Sequence, residues 1–284
     1  MKFLVATDFS ENSNKAVEYA ASMAHVLGAK ITLVHAWQVM PVGAGIEEVG
    51  MTQNIETMER ESKEILQKTV DDFGKKYPVF ERTISQQGFP AEVLEEIYKN
   101  IEPDLVVAGR KGQGAVSRAI FGSVSSRLVE SDLRPLLVIP EGAEINEMKE
   151  VLFLSDFYDS DVANLKTLVS FLKPRNAKIN VMHFHTSEHD KEVDQDFFKH
   201  FSGVIKDRID YDNFEFKMED SDDLHDSLDE VIKSRKIQML CIASMHRSFW
   251  QQLVDPSLTK HLLKKIDLPV MIFDAHSDNL EDLF

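Results

Sequence analysis

Leu105-Val106-Val107-Ala108-Gly109-Arg110-Lys111-Gly112, then nine residues, then Gly122-Ser123-Val124-Ser125, is the stretch whose reading decides the fold. The apolar run is unbroken rather than alternating, which marks a strand covered on both faces. Gly109 and Gly112 end it in a sharp turn, where the backbone can approach a ligand that a Cβ would push away. Gly122-Ser123 then opens a helix, whose free amides and dipole favour an anion. A strand, a glycine turn and a helix start in this order suit a bound phosphate.

Working outward, the first half of the chain alternates short Val/Ile/Leu-rich runs with longer amphipathic stretches. Residues 2–7, 30–36, 79–84, 104–109 and 135–139 read as strands, and about 11–27, 54–76, 90–100 and 116–131 as helices. Such alternation predicts a doubly wound α/β domain, with ligands at the carboxyl ends of the strands near the switch in strand order. The first strand ends at Thr7-Asp8 and the fourth at Gly109, so these two ends flank the expected crevice.

The second half repeats the first. Lys2–Phe9 is echoed by Glu150–Phe157, and Ala29–His35 by Ala177–His183, both at an offset of 148. Near each end the offset becomes 134, aligning Arg134–Ile139 with Leu268–Phe273. The second copy has therefore lost 14 residues between its second and fourth strands. The reading is two domains, 1–141 and 149–276, joined by the polar segment Glu141–Lys149. A length of 284 residues suits two such domains.

Composition excludes some classes. A net charge of -16 argues against a general nucleic-acid or anionic-membrane surface. Residues 1–140 carry 15 basic and 19 acidic side chains, residues 141–284 carry 17 and 29, so a polyanionic ligand is better tolerated by the first half. The single cysteine, Cys241, lies in an apolar strand-like run and reads as core. One cysteine and no long apolar run predict a cytoplasmic protein.

Asp8 at the end of the first strand, His35-Ala36 at the end of the second, and Gly-x2-Gly-x9-Gly-Ser after the fourth resemble the universal stress protein family. The resemblance runs along nearly the whole chain as a tandem pair. It implies an α/β fold: two doubly wound five-stranded parallel-sheet domains of strand order 3-2-1-4-5. This is the Rossmann-like, adenine nucleotide alpha hydrolase-like fold. It also implies a pseudo-dimer, with domains pairing through their last strands, here Pro135–Pro140 and Pro269–Asp274. Some members bind ATP or AMP and others, lacking the glycines, do not. By resemblance to the binders, Ala6, Thr7 and Asp8 line the adenosine and Ala36 offers backbone to the adenine. Ala108 and Gly109 pass beneath the ribose, and Lys111 and Gly112 lie by the phosphates. Gly122, Ser123, Val124 and Ser125 supply amides and hydroxyls, with Mg2+. Arg110 and Lys111 add positive charge close by. The plainer alternative is a glycine turn that only packs a helix on the sheet.

The second copy departs at each critical place. Ala243 stands for Gly109, His246 for Gly112 and Pro256 for Gly122, while Ser257 matches Ser123. Phe184 replaces Ala36 and is expected to fill the adenine pocket; Asp156 remains opposite Asp8. The expectation is one working site per chain, with a structural second domain. No general base is expected near the γ-phosphate, which argues against a dedicated ATPase. The combined reading is a dimeric protein with ATP or AMP as regulatory ligand and an unidentified protein partner. Its rivals are a nucleotide-free interaction protein and an enzyme using the second crevice.

Other signals are weaker. His183, His185 and His189 have a spacing that suits zinc, but without an adjacent fourth ligand they read as scaffold. His225 and His246 are candidates for the second crevice. Glu219–Asp223 precedes a helix and is expected to cap and charge its N-terminus, a calcium loop being disfavoured by the missing glycine and terminal glutamate. Pro41–Ile46 and Val49–Met51 read as a connection or a lid, and the acidic tail Asp274–Phe284 as a docking segment or a frayed end.

Overall fold

In the computed structural model the described residues are 1–38, 48–110, 123–145, 148–155, 157, 159–185, 191–221, 224–243 and 266–274. They fall into two compact units: Met1–Ile145 with Lys260–Asp267, and Asn146–Thr259 with Leu268–Phe284.

In the first unit β1 (Lys2–Ala6), β2 (Lys30–Trp37), β3 (Phe80–Gln87), β4 (Leu105–Gly109) and β5 (Leu136–Ile139) lie in the order β3-β2-β1-β4-β5. Every neighbouring pair is parallel. The helices are α1 (Glu11–Leu27), α2 (Glu48–Gly74), α3 (Pro90–Ile101) and α4 (Ser123–Glu130). Phe3, Leu4 and Val5 of β1 and Leu105, Val106 and Val107 of β4 are fully buried, as an unbroken apolar strand in a two-faced parallel sheet must be. α1 meets this sheet with Ala16, Val17, Ala20, Ala21 and Ala24, small side chains that let the helix approach closely. Ser10 caps it by accepting from the Ser13 N–H at 3.1 Å, and Gly28, at φ 64°, closes it in the left-handed region. The edge strand β3 turns Glu81 and Arg82 to solvent, which discourages pairing with another chain.

The second unit repeats the plan with β6 (Glu150–Leu154), β7 (Lys178–His185), β8 (Phe214–Asp220), β9 (Met239–Ala243) and β10 (Val270–Phe273). Their order is β8-β7-β6-β9-β10, again wholly parallel. Its described helices are α5 (Asp159–Leu172), α6 (Lys191–Arg208) and α7 (Leu224–Arg235). Both units thus have the expected 3-2-1-4-5 order. The missing residues are localised: α6 has 18 residues where α2 has 27, and the segment before it is 186–190 against 38–47.

Two local expectations change. Val49, Gly50 and Met51 belong to α2 rather than to a loop, because one internal glycine costs a helix only about 1 kcal/mol. Glu219 and Asp220 end β8 instead of capping a helix, and Asp220 pairs with Lys191 at 2.5 Å. Residues 41–47, Asp222, Asp223 and the tail after Asp274 lie outside the described residues.

Candidate functional site

β1 and β4 are neighbours in register, Val5 opposite Val107, although two strands separate them in sequence order. Ala6, Thr7 and Asp8 therefore leave the sheet beside Ala108 and Gly109, at the switch in strand order. The chain then bends through Phe9, which has φ 63°, a conformation that costs a bulky residue of order 1–3 kcal/mol. Three contacts hold it. Its N–H reaches Thr7 Oγ1 at 3.1 Å, its ring packs on His35 at 4.1 Å between centroids, and Ser10 beyond it caps α1.

Asp8 is fixed by this bend. Its Oδ1 accepts from the Ser10 N–H at 3.1 Å and from the Ser10 hydroxyl at 2.7 Å. Thr7 is buried, with its hydroxyl 3.1 Å from Ser13 Oγ, so that hydroxyl serves the first turn of α1. Ala36 sits half-buried on β2, one strand away from Asp8.

The β4 side is arranged differently from what composition alone implies. A Cβ on Gly109 would meet Asn12, at 3.1 Å from its Oδ1 and 3.2 Å from its backbone oxygen. The glycine therefore lets α1 pack this closely against the strand end. Arg110 follows Gly109 directly. Its guanidinium is buried, donating to the Ile266 carbonyl at 2.8 Å and to Asp267 at 3.3 Å. Burial lowers its pKa from the usual arginine range, while Asp267 and then Glu141 oppose the shift. Ser125 is buried in α4 and donates to the Arg110 carbonyl at 2.6 Å, tying the helix start to the strand end. Val124 is half-buried beside it, and Ser123 begins the helix. Lys111, Gly112 and Gly122 lie outside the described residues.

A polar network that sequence reasoning missed runs under α2. The Trp37 indole donates to Ser85 at 2.9 Å, Ser85 donates to Ser62 at 2.7 Å, and Ser62 lies 2.8 Å from His35 Nδ1. Burial lowers the pKa of His35, and the charge of Asp8 partly restores it. The available signal was Ser62, a polar residue on the helix face that also buries Leu66.

The second unit carries a cluster of aromatic side chains at its corresponding strand-end bend. Phe157 repeats the left-handed bend at φ 65° and packs on His183 at 4.4 Å, as Phe9 does on His35. Here α6 adds Phe198 and Phe201 around Phe157, at 6.0 and 5.6 Å. Phe184 is fully buried. His185 Nδ1 lies 2.6 Å from Asp194, and His183 Nε2 lies 3.7 Å from the same carboxylate oxygen. Among the described residues no group of three or more His, Cys, Asp and Glu is placed to hold a metal ion. Cys241 is fully buried, which raises its thiol pKa well above the usual range. Asp156, His189, His246, Pro256 and Ser257 lie outside the described residues, and nothing is described of the His225 side chain.

A parallel, doubly wound sheet with its first and fourth strand ends adjoining defines a Rossmann-like α/β protein in each unit. The family model of the universal stress protein family matches residues 1–140. A universal stress protein of Methanocaldococcus jannaschii is 28% identical over 139 residues, 49% of this chain and 81% of the relative. Universal stress protein A of Salmonella typhi is 33% identical over 107 residues, 37% of this chain and 72% of the relative. The chain belongs to the universal stress protein family. Its fold over nearly the full length is that of a universal stress protein crystal structure from Archaeoglobus fulgidus. The two share a TM-score of 0.74 at 16% identity, over 97% of this chain and 98% of that one. Among the described residues no helix is long and apolar enough to cross a membrane.

Proposed function

We propose that the first domain, residues 1–141, binds ATP or AMP with Mg2+ as a regulatory ligand in a stress response. The second domain, residues 149–276, is its structural partner in a cytoplasmic homodimer that acts on a further protein. The observation that carries this reading is the carboxylate of Asp8. It is held by two hydrogen bonds from Ser10 at the mouth of the β1–β4 crevice, beside the glycine-bounded strand end. A fixed anionic acceptor at one end and a glycine turn entering a helix at the other suit the two ends of an adenine nucleotide. Of the residues expected to contact it, Asp8 would take adenosine hydroxyl or amino protons, Ala36 and Ala108 leave room for the sugar and base, and Gly109 would pass beneath the ribose with its backbone. Lys111, Gly112, Gly122 and the start of α4 would meet the phosphates and the metal. The second crevice is read as closed because Phe157, Phe184, Phe198 and Phe201 occupy its surroundings.

Calorimetry of the full chain with Mg-ATP, ADP and AMP tests the reading. One nucleotide per chain, with about tenfold weaker binding in Asp8→Asn, is the expected result, a charge-assisted hydrogen bond being worth ~1.5–3 kcal/mol. Two per chain would contradict the closed second domain. No binding by any of the three would overturn the proposal.

A further inference from the structure

The network under α2 has a direction. An indole N–H only donates, so Ser85 accepts from Trp37 and gives its own proton to Ser62. The Ser62 hydroxyl proton then has one acceptor within reach among the described residues, His35 Nδ1 at 2.8 Å. A ring nitrogen that accepts carries no proton, so the proton of the neutral imidazole sits on Nε2. Phe9 covers one face of the ring at 4.1 Å, and the negative charge of Asp8 acts on it.

We infer that the Trp37–Ser85–Ser62 chain locks His35 as its Nε2–H tautomer, making it a positioning residue for the bend at Phe9 that fixes Asp8. This deepens the nucleotide reading above and rests on it for its consequence, though not for the tautomer. Phe9 packs on the locked ring, and the bend through Phe9 carries both Asp8 and the Ser10 that donates to it.

The second unit carries the opposite arrangement at the same place. His183 corresponds to His35, yet its Nδ1 lies 2.9 Å from the Ser155 carbonyl, which can only accept. The proton is therefore on Nδ1. Asp194 of α6 lies 3.7 Å from His183 Nε2 and 2.6 Å from the Nδ1 of His185, which replaces Trp37 at the strand end. A donor chain has been exchanged for an acceptor, and the histidine proton has moved with it.

Long-range proton–nitrogen NMR on 15N-histidine-labelled full chain without nucleotide, with His35 and His183 assigned from His→Gln variants, tests the lock directly. The expected result is Nε2–H for His35 and a protonated Nδ1 for His183. In Ser62→Ala the donor is gone, and His35 should shift toward the Nδ1–H form. Finding Nδ1–H at His35 in the unmodified protein, or no change in Ser62→Ala, would overturn the inference. The unmodified spectrum decides the first point even if the variant folds poorly. A parallel Mg-ATP titration separates the two readings: Ser62→Ala should bind more weakly, because the ring that holds the Phe9 bend beside Asp8 is no longer fixed. If the unmodified chain binds no nucleotide, the functional reading fails while the tautomer stands. If Ser62→Ala shifts the tautomer but binds ATP unchanged, the positioning role fails.

Discussion

Gly109→Ala separates two roles that a strand-end glycine can have. The added methyl would lie 3.1 Å from Asn12 Oδ1, 3.2 Å from the Asn12 backbone oxygen and 3.3 Å from its carbonyl carbon. These are inside the ~3.5–4.0 Å of a comfortable carbon contact. Two of the three atoms belong to the backbone of a buried helix turn, so α1 has to retreat by a few tenths of an ångström. Overpacking of this kind costs ~1–3 kcal/mol. The alanine recovers ~0.4–1 kcal/mol by restricting the unfolded chain. The net expectation is a loss of about 1 kcal/mol, up to about 2, read as a lower urea midpoint at unchanged slope. The second unit suggests the relief, since Ala243 ends β9 where Ser160 stands in place of Asn12. Asn12→Ser alone loses the 3.3 Å bond to the Ile139 carbonyl, but the Arg110 N–H still satisfies that carbonyl at 2.8 Å. Its cost should be ~0.5–1.5 kcal/mol. The double variant should then be more stable than the two losses predict, by about 0.5 kcal/mol or more. Strict additivity would refute the packing argument. So would a Gly109→Ala protein of undiminished stability that has lost nucleotide binding, because the methyl would then act in the crevice.

Three further outcomes follow from the same geometry. Arg110→Met strips a buried donor from the Ile266 carbonyl and should cost ~1–3 kcal/mol in urea unfolding. Asp267→Asn should cost less, because that carboxylate is 64% exposed. The pKa of His35 is depressed in the folded state, so its contribution to stability is intact above the ordinary value of 6.5 and is lost as pH falls below it. Unfolding free energy followed from pH 7.5 to 5 should therefore fall less steeply in His35→Gln, by at most about 1.4 kcal/mol per pH unit. Cys241 should resist a thiol reagent in the native protein and react at once in urea, since it is fully buried with a raised pKa. Fast native labelling would place it outside the core.

Residue spacing carried the fold a long way. Unbroken apolar runs such as Leu105–Ala108 mark strands covered on both faces, and the alternation of strands with longer amphipathic segments implies parallel crossovers. The offsets of 148 and 134 even implied a shortened second copy, and the structure places the loss in α6 and the segment before it. The bounds of α2 were less legible, because Gly50 and a polar N-terminal turn resemble a loop when read alone. Asp8 was legible as a strand-end acid. Its partner Ser10, and the role of Ser125 in tying α4 to Arg110, were not.

What the sequence by itself determined is the order and type of the elements, their duplication, and which residues stand at the strand ends. These follow from local periodicity and turn chemistry, which need only neighbours along the chain. Tertiary structure alone decided which way side chains at those ends face. Gly109 makes room for Asn12, Arg110 turns to Ile266, and one scaffold histidine is met by a hydroxyl in the first unit and a carbonyl in the second. Those choices depend on groups brought from 27 to 156 residues away. Hydrogen-bond direction is set by what a group faces in space, and the residue's own identity leaves that open.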